Sequence, residues 1–97
     1  MRVTEVKVFP VNEERLKAYV TVTFDDCFVI RDLKIIRGHE GLFVAMPSKK
    51  RKDGQFKDIA HPLNQETRNM IEQAVFDAYE DEVKSMGDAL DDLKKER

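Results

Sequence analysis

Four consecutive cations, Lys49-Lys50-Arg51-Lys52, stand immediately before an Asp53-Gly54 pair. Cations in a run neutralise phosphates, Ser48 beside them can donate a hydrogen bond, and Lys57 follows shortly after the glycine. Asp-Gly demands a tight turn. The apolar run Leu42-Phe43-Val44-Ala45-Met46 comes before it and the alternating segment Phe56 to Ala60 comes after. The pattern predicts a β-hairpin whose connecting loop carries Lys49 to Lys52 into solvent, with Lys57 near them across the pair. A helix beginning near Asn64 would offer free N–H groups to an anion. Arg68 lies one turn into that helix, and both would join the cations if the His61-Pro62 turn brings them alongside. From the residues alone the run is either a polyanion-binding surface or a solvated loop. No aromatic in the hairpin reads as exposed, so a base-stacking platform is not expected there.

Catalysis has little to stand on. His39 and His61 are the only histidines, and neither has metal-ligand spacing to another His or to the single Cys27. Ser48, Asp58 and His61 could be arranged as a triad on paper. Strand alternation sets Asp58 and His61 on opposite faces, however, and no nucleophile elbow is present. His61 reads as a structural group at the strand-to-helix turn. No glycine-rich phosphate loop occurs. The expectation is a non-enzymatic protein with no metal and no cofactor.

These residues must be positioned by a small number of elements. Residues 3–9 alternate as a half-buried strand, with Thr4, Val6 and Val8 on one face, ending at Pro10. Leu16, Ala18, Val20, Val22 and Phe24 take every second place in a β-branched-rich segment, the clearest strand of the chain. Asp25-Asp26 makes a short hairpin connection. The next strand changes phase, from Phe28 and Ile30 to Leu33 and Ile35, which predicts a β-bulge at Arg31-Asp32. Gly38 to Gly41 is a turn, and the uniformly apolar 42–46 reads as a central strand. Asn64 is a good N-cap with Glu66 in the first turn. Thr67, Ala74, Val75, Ala78 and Tyr79 gather around Ile71 at helical spacing to cover the sheet. Five strands and one helix make an α+β sandwich of two layers. A second stripe, Phe76, Tyr79, Val83, Met86, Leu90 and Leu93, has heptad spacing interrupted by Gly87. It is either a partner-facing seam or part of a frayed acidic tail, so residues 1–83 are expected to form the domain and 84–97 a tail or helix extension.

Composition fits this scale. A chain of 97 residues buries only about 60–70% of its unfolded surface, so its core is thin and association would help it. The net charge of −2 does not itself point to a polyanion. Residues 1–60 nevertheless hold 12 Lys/Arg against 9 Asp/Glu, while 61–97 hold 5 against 10. Cys27, in the apolar Cys27-Phe28-Val29-Ile30, reads as a small buried hydrophobe. No stretch approaches the roughly 20 apolar residues of a membrane span, and the N-terminus lacks a signal-like apolar run, so a cytoplasmic protein is expected.

The segments Leu42 to Lys49, Asp53-Gly54 and Asp58-Ile59-Ala60-His61-Pro62 together resemble the signature of the stage V sporulation protein G (SpoVG, septation protein G) family. Val3-Thr4-Glu5-Val6, Asp32 to Ile36 and the helix from Asn64 to Tyr79 extend the resemblance over roughly the first 80 residues. The resemblance implies a bacterial regulator, linked by name to septation and sporulation, that binds DNA and RNA. It also implies a curved antiparallel sheet followed by a C-terminal helix, and a homodimer associating through its strands. Residues carried over as nucleic-acid contacts are Lys49, Lys50, Arg51, Lys57 and Arg68. Lys52 departs from the family pattern, which more often has an uncharged residue before Asp53-Gly54, and the acidic tail departs too. The rival expectation is an adaptor of the division machinery, working through the 76–93 stripe or an open sheet edge without touching nucleic acid.

Overall fold

Strand β2, Leu16–Phe24, is the spine of the molecule. Its even-numbered side chains Ala18, Val20, Val22 and Phe24 are buried and its odd-numbered ones face outward. The computed structural model describes residues 1–11 and 13–95, with side chains as far as residue 85. On either side of β2 lie β1, Val3–Pro10, and β3, Phe28–Gly38, and β3 in turn pairs with β4, Gly41–Ala45. The order is β1-β2-β3-β4, antiparallel throughout. A separate two-stranded ribbon follows, β5, Ser48–Lys50, with β6, Phe56–Asp58. Helix α1 then runs from Gln65 to Lys95. The architecture is α+β with an antiparallel sheet and one C-terminal helix, but the expected single five-stranded sheet is four strands plus a hairpin. Pro47 lies between β4 and β5 and has no N–H to give a ladder. Its carbonyl instead accepts the Ile59 N–H at 2.7 Å, tying the base of the ribbon together.

The phase change of β3 is a bulge. Val20 pairs with Leu33 and Val22 with Ile30, so three steps on β3 meet two on β2. Asp32 takes a left-handed φ of 65° there. The extra residue restores Leu33 and Ile35 to the buried face. At the β2–β3 turn, Asp25 and Asp26 also have positive φ, 50° and 55°. They are held by the start of β1: the Arg2 N–H donates to Asp25 Oδ1 (3.0 Å), and the Asp26 N–H donates to Thr4 Oγ1 (2.9 Å). This turn lifts Cys27 into solvent, so the thiol is exposed and not the buried hydrophobe its apolar neighbours suggested.

The α1 cap is as predicted: the Thr67 N–H donates to Asn64 Oδ1 at 2.7 Å. Ile71 and Val75 are buried against Val20, Val22, Leu33, Ile35, Val44 and Met46, with Met70, Phe76 and Tyr79 packed beside them. Full burial of such aliphatic side chains contributes about 1.5–3 kcal/mol each. Strand β4 is an edge, not a central strand, and its Leu42 and Phe43 are exposed. The heptad stripe is described only at Phe76, Tyr79 and Val83. Met86, Leu90 and Leu93 lie outside the described side chains.

Candidate nucleic-acid interface

The basic residues are carried by the β5–β6 ribbon itself. Register puts Lys49 directly opposite Lys57, Ser48 opposite Asp58 and Lys50 opposite Phe56. Lys49 and Lys50 are therefore strand residues, and only Arg51 and Lys52 of the expected loop cluster lie in the connection. The connection closes through Arg51 N–H to Gln55 C=O at 2.6 Å and Gly54 N–H to Arg51 C=O at 3.0 Å. Gly54 at φ 87° supplies the left-handed residue such a three-residue loop needs. Asp53 accepts the Gln55 N–H at 3.0 Å, fixing the turn from its side chain.

Alternation then sorts the charges. Lys49, Arg51 and Lys57 share one face of the ribbon, while Ser48, Lys50, Phe56 and Asp58 share the other. Like charges directly across a strand pair are destabilising, and Lys49–Lys57 is such a pair. Among the described residues the ion pairs are Lys7–Glu5 and Arg68–Glu72, so Lys49, Lys50, Arg51, Lys52 and Lys57 have no carboxylate partner. These cations line a shallow hollow of about 450 Å³ together with Asp58 and Ile59. The arrangement can hold an extended polyanion: four ammonium groups and one guanidinium, all exposed, on a short framework fixed by backbone hydrogen bonds.

Two other predicted contributors are not brought to the hollow. Arg68 is half-buried and its Nη1 lies 3.4 Å from Glu72 Oε1, one turn further on the same helix. The helix N-terminus does not line the hollow either, and Asn64 already occupies the Thr67 N–H. Instead the Ala60-His61-Pro62 turn packs over the end of the sheet. There it lines an apolar cavity of about 170 Å³ with Met1, Phe24, Phe28, Ile30, Met46, Thr67 and Ile71. His61 Nδ1–H donates to the Pro62 carbonyl at 3.1 Å, the structural part expected of it.

One residue of the ribbon was missed. Phe56 is 71% exposed, beside Lys50, so an aromatic is available for base stacking where none was expected. In a two-layer fold an alternating Phe points to the core. The ribbon has no second layer, and neither of its faces is inside. The signal was the brevity of the two strands around the turn.

A small α+β domain with a bulged antiparallel sheet, one covering helix and a projecting basic ribbon is the class these observations define. The chain belongs to the SpoVG family, whose model matches residues 1–81. It is 73% identical to "Putative septation protein SpoVG" of Bdellovibrio bacteriovorus, over all of this chain and 90% of that relative. The protein of the same name from Myxococcus xanthus is 64% identical over 82% of this chain and 81% of its own length. That of Caldicellulosiruptor bescii is 59% identical, covering 82% and 92%. No helix among the described residues is long and apolar enough to cross a membrane. No group of three or more His, Cys, Asp or Glu among them could hold a metal ion.

Proposed function

We propose that the protein is a non-enzymatic regulator of bacterial gene expression that binds DNA and RNA in the cytoplasm and acts in septation, the process for which its relatives are named. The observation that carries this reading is the ribbon: five cations without carboxylate partners among the described residues, two of them forced opposite each other. Such crowding is unfavourable until an anion arrives. Ser48, Lys49, Lys50, Arg51, Lys52 and Lys57 are the proposed contacts, with Phe56 added. Arg68 is a weaker member, because its charge is already matched within the helix. The test is a quadruple variant, Lys49→Gln, Lys50→Gln, Arg51→Gln and Lys52→Gln, compared with the parent for binding to a DNA duplex and an RNA of equal length. Binding should fall sharply to both. A folded variant that binds both with parental affinity would remove the ribbon from the function.

A second reading has its own observation. Leu42 at the β4 edge and Phe76, Tyr79 and Val83 on α1 frame an apolar groove of about 700 Å³. Together with the open edge of β4, the groove supports a homodimer built by strand association, or a docking site for a division protein. Light scattering should give twice the 11.3 kDa chain mass. Deleting residues 84–97 should leave that dimer intact if the sheet mediates it, and dissociate it if the tail stripe does.

A further inference from the structure

The face of the sheet turned away from α1 is solvent-exposed, and its composition is not that of a bland polar surface. Because Ala18, Val20 and Val22 face the core, alternation puts Tyr19, Thr21 and Thr23 on the open side. Register extends the row. Phe9 lies directly opposite Tyr19 on β1, Tyr19 lies opposite Lys34 on β3, and Lys34 lies opposite Ala45 on β4. Two aromatics and a cation thus stand side by side across three strands, at about 4.8 Å per strand. Phe9 is 53% and Tyr19 40% exposed. Lys7 stands one pair further along the same face.

The charge on this face is mostly positive. Glu5 is the one carboxylate of β1 there, and Lys7 is within 3.7 Å of it. The bulge across from Thr21 adds one charge of each sign, Arg31 and Asp32. Lys34 has no carboxylate partner among the described residues.

We infer that this open sheet face is a second nucleic-acid contact surface, and that its ligand is single-stranded. Bases would stack on Phe9 and Tyr19 while Lys34 meets the backbone. Aromatic side chains on an antiparallel sheet, flanked by cations, suit unpaired bases whose rings are free. A duplex hides its base faces, so it would gain only the cations. The inference rests on the reading of the protein as nucleic-acid-binding and assigns this surface the strand form.

Intrinsic fluorescence gives a direct test. The chain has two tyrosines and no tryptophan, so in a Tyr79→Phe protein Tyr19 is the only strong emitter. Titration with a 20-nucleotide oligo(dT) should quench that emission at least twofold, and a 20-base-pair duplex should not. The double variant Phe9→Thr with Tyr19→Thr keeps strand propensity. It should bind oligo(dT) on the order of 10-fold or more weakly, with duplex affinity and the salt slope unchanged. Lys34→Gln should instead flatten the single-strand salt slope by about 0.7; this exposed-face change decides the matter if the double variant unfolds. Oligo(dT) binding that leaves Tyr19 emission unchanged would overturn the inference and leave the ribbon's function standing. A double variant that turns monomeric in light scattering yet binds normally would make a second copy the occupant, and overturn it equally. If neither oligo(dT) nor the duplex binds the parent at 50 mM salt, the nucleic-acid reading fails along with it.

Discussion

The sheet–helix sandwich and the β5–β6 ribbon differ in what their side chains answer to. In the sandwich, Val20, Val22, Ile35 and Val75 have no solvent exposure, and each is held by neighbours on two layers. In the ribbon every residue from Ser48 to Asp58 is exposed, and the strands are held by backbone hydrogen bonds and a glycine turn. One region is selected for packing and the other is free to keep an arrangement that packing would reject. The ribbon can therefore carry opposed lysines and an exposed phenylalanine at little cost to the fold. Substitutions should separate the two: the sandwich should answer in stability, and the ribbon in binding.

The largest effect expected lies in the salt dependence of binding. If Lys49, Lys50, Arg51 and Lys52 each neutralise one phosphate, the log–log slope on duplex DNA is about −3.6 per protomer. With two ribbons on one duplex it approaches roughly −7. Raising salt from 50 to 200 mM would then cost on the order of 10⁴ in affinity. The quadruple Gln variant should flatten the slope to no more than the roughly −0.9 per protomer that Lys57 can still supply. A slope that stays steep in that variant would move the electrostatics from the ribbon to the sheet.

Next comes the core. Ile35→Ala removes a fully buried side chain at the centre of β3 and should destabilise the protein by about 2–5 kcal/mol. Urea denaturation would measure it. Against a total of roughly 5–15 kcal/mol, that loss is visible as a lowered midpoint. Where the variant is still folded its salt slope should match the parent's. A changed slope would mean that the ribbon depends on core packing and that the two regions are not independent.

A smaller effect belongs to the junction between them. Asn64 caps α1 through its 2.7 Å bond to the Thr67 N–H, so Asn64→Ala should cost about 1 kcal/mol. Binding should be unaltered, because this helix end does not line the basic hollow.

How far the sequence could be read follows the same division. The strict alternation of β2 and the phase change at Arg31-Asp32 were legible because a buried face imposes a period, and a bulge is the simple way to keep it. The Asn64 cap was legible because it is local chemistry. The ribbon's boundaries were not: Leu42 to Met46 was read as one arm of the hairpin, whereas Pro47 separates that run from β5. The same run was read as central because it is apolar on both faces, yet it forms an edge within this chain. Leu42 and Phe43 are exposed there, which an unpartnered edge does not need. Phe56 and Cys27 misled for a shared reason: apolar type predicts burial only where a second layer exists to bury against, and neither the ribbon nor the β2–β3 turn has one.

The smallest effect expected is also the one most diagnostic of the contrast. Lys49 and Lys57 face each other directly on exposed strands, where like charges repel and neither side chain packs. Lys49→Thr removes the repulsion and adds a β-branched residue that suits a strand. Stability should rise by a few tenths of a kcal/mol, since cross-strand pairs contribute roughly 0.2–1 kcal/mol. The gain should shrink as salt screens the parent's repulsion, with a Debye length of about 10 Å at 0.1 M falling to about 3 Å at 1 M. The same variant should bind duplex DNA more weakly and lose about 0.9 from the salt slope. Thermal denaturation at low and high salt, beside binding isotherms, would measure both. A substitution that steadies the fold while weakening the ligand marks a residue kept for binding. If Lys49→Thr instead destabilises the protein at every salt concentration, Lys49 is a structural strand residue, and the opposed pair says nothing about an anion.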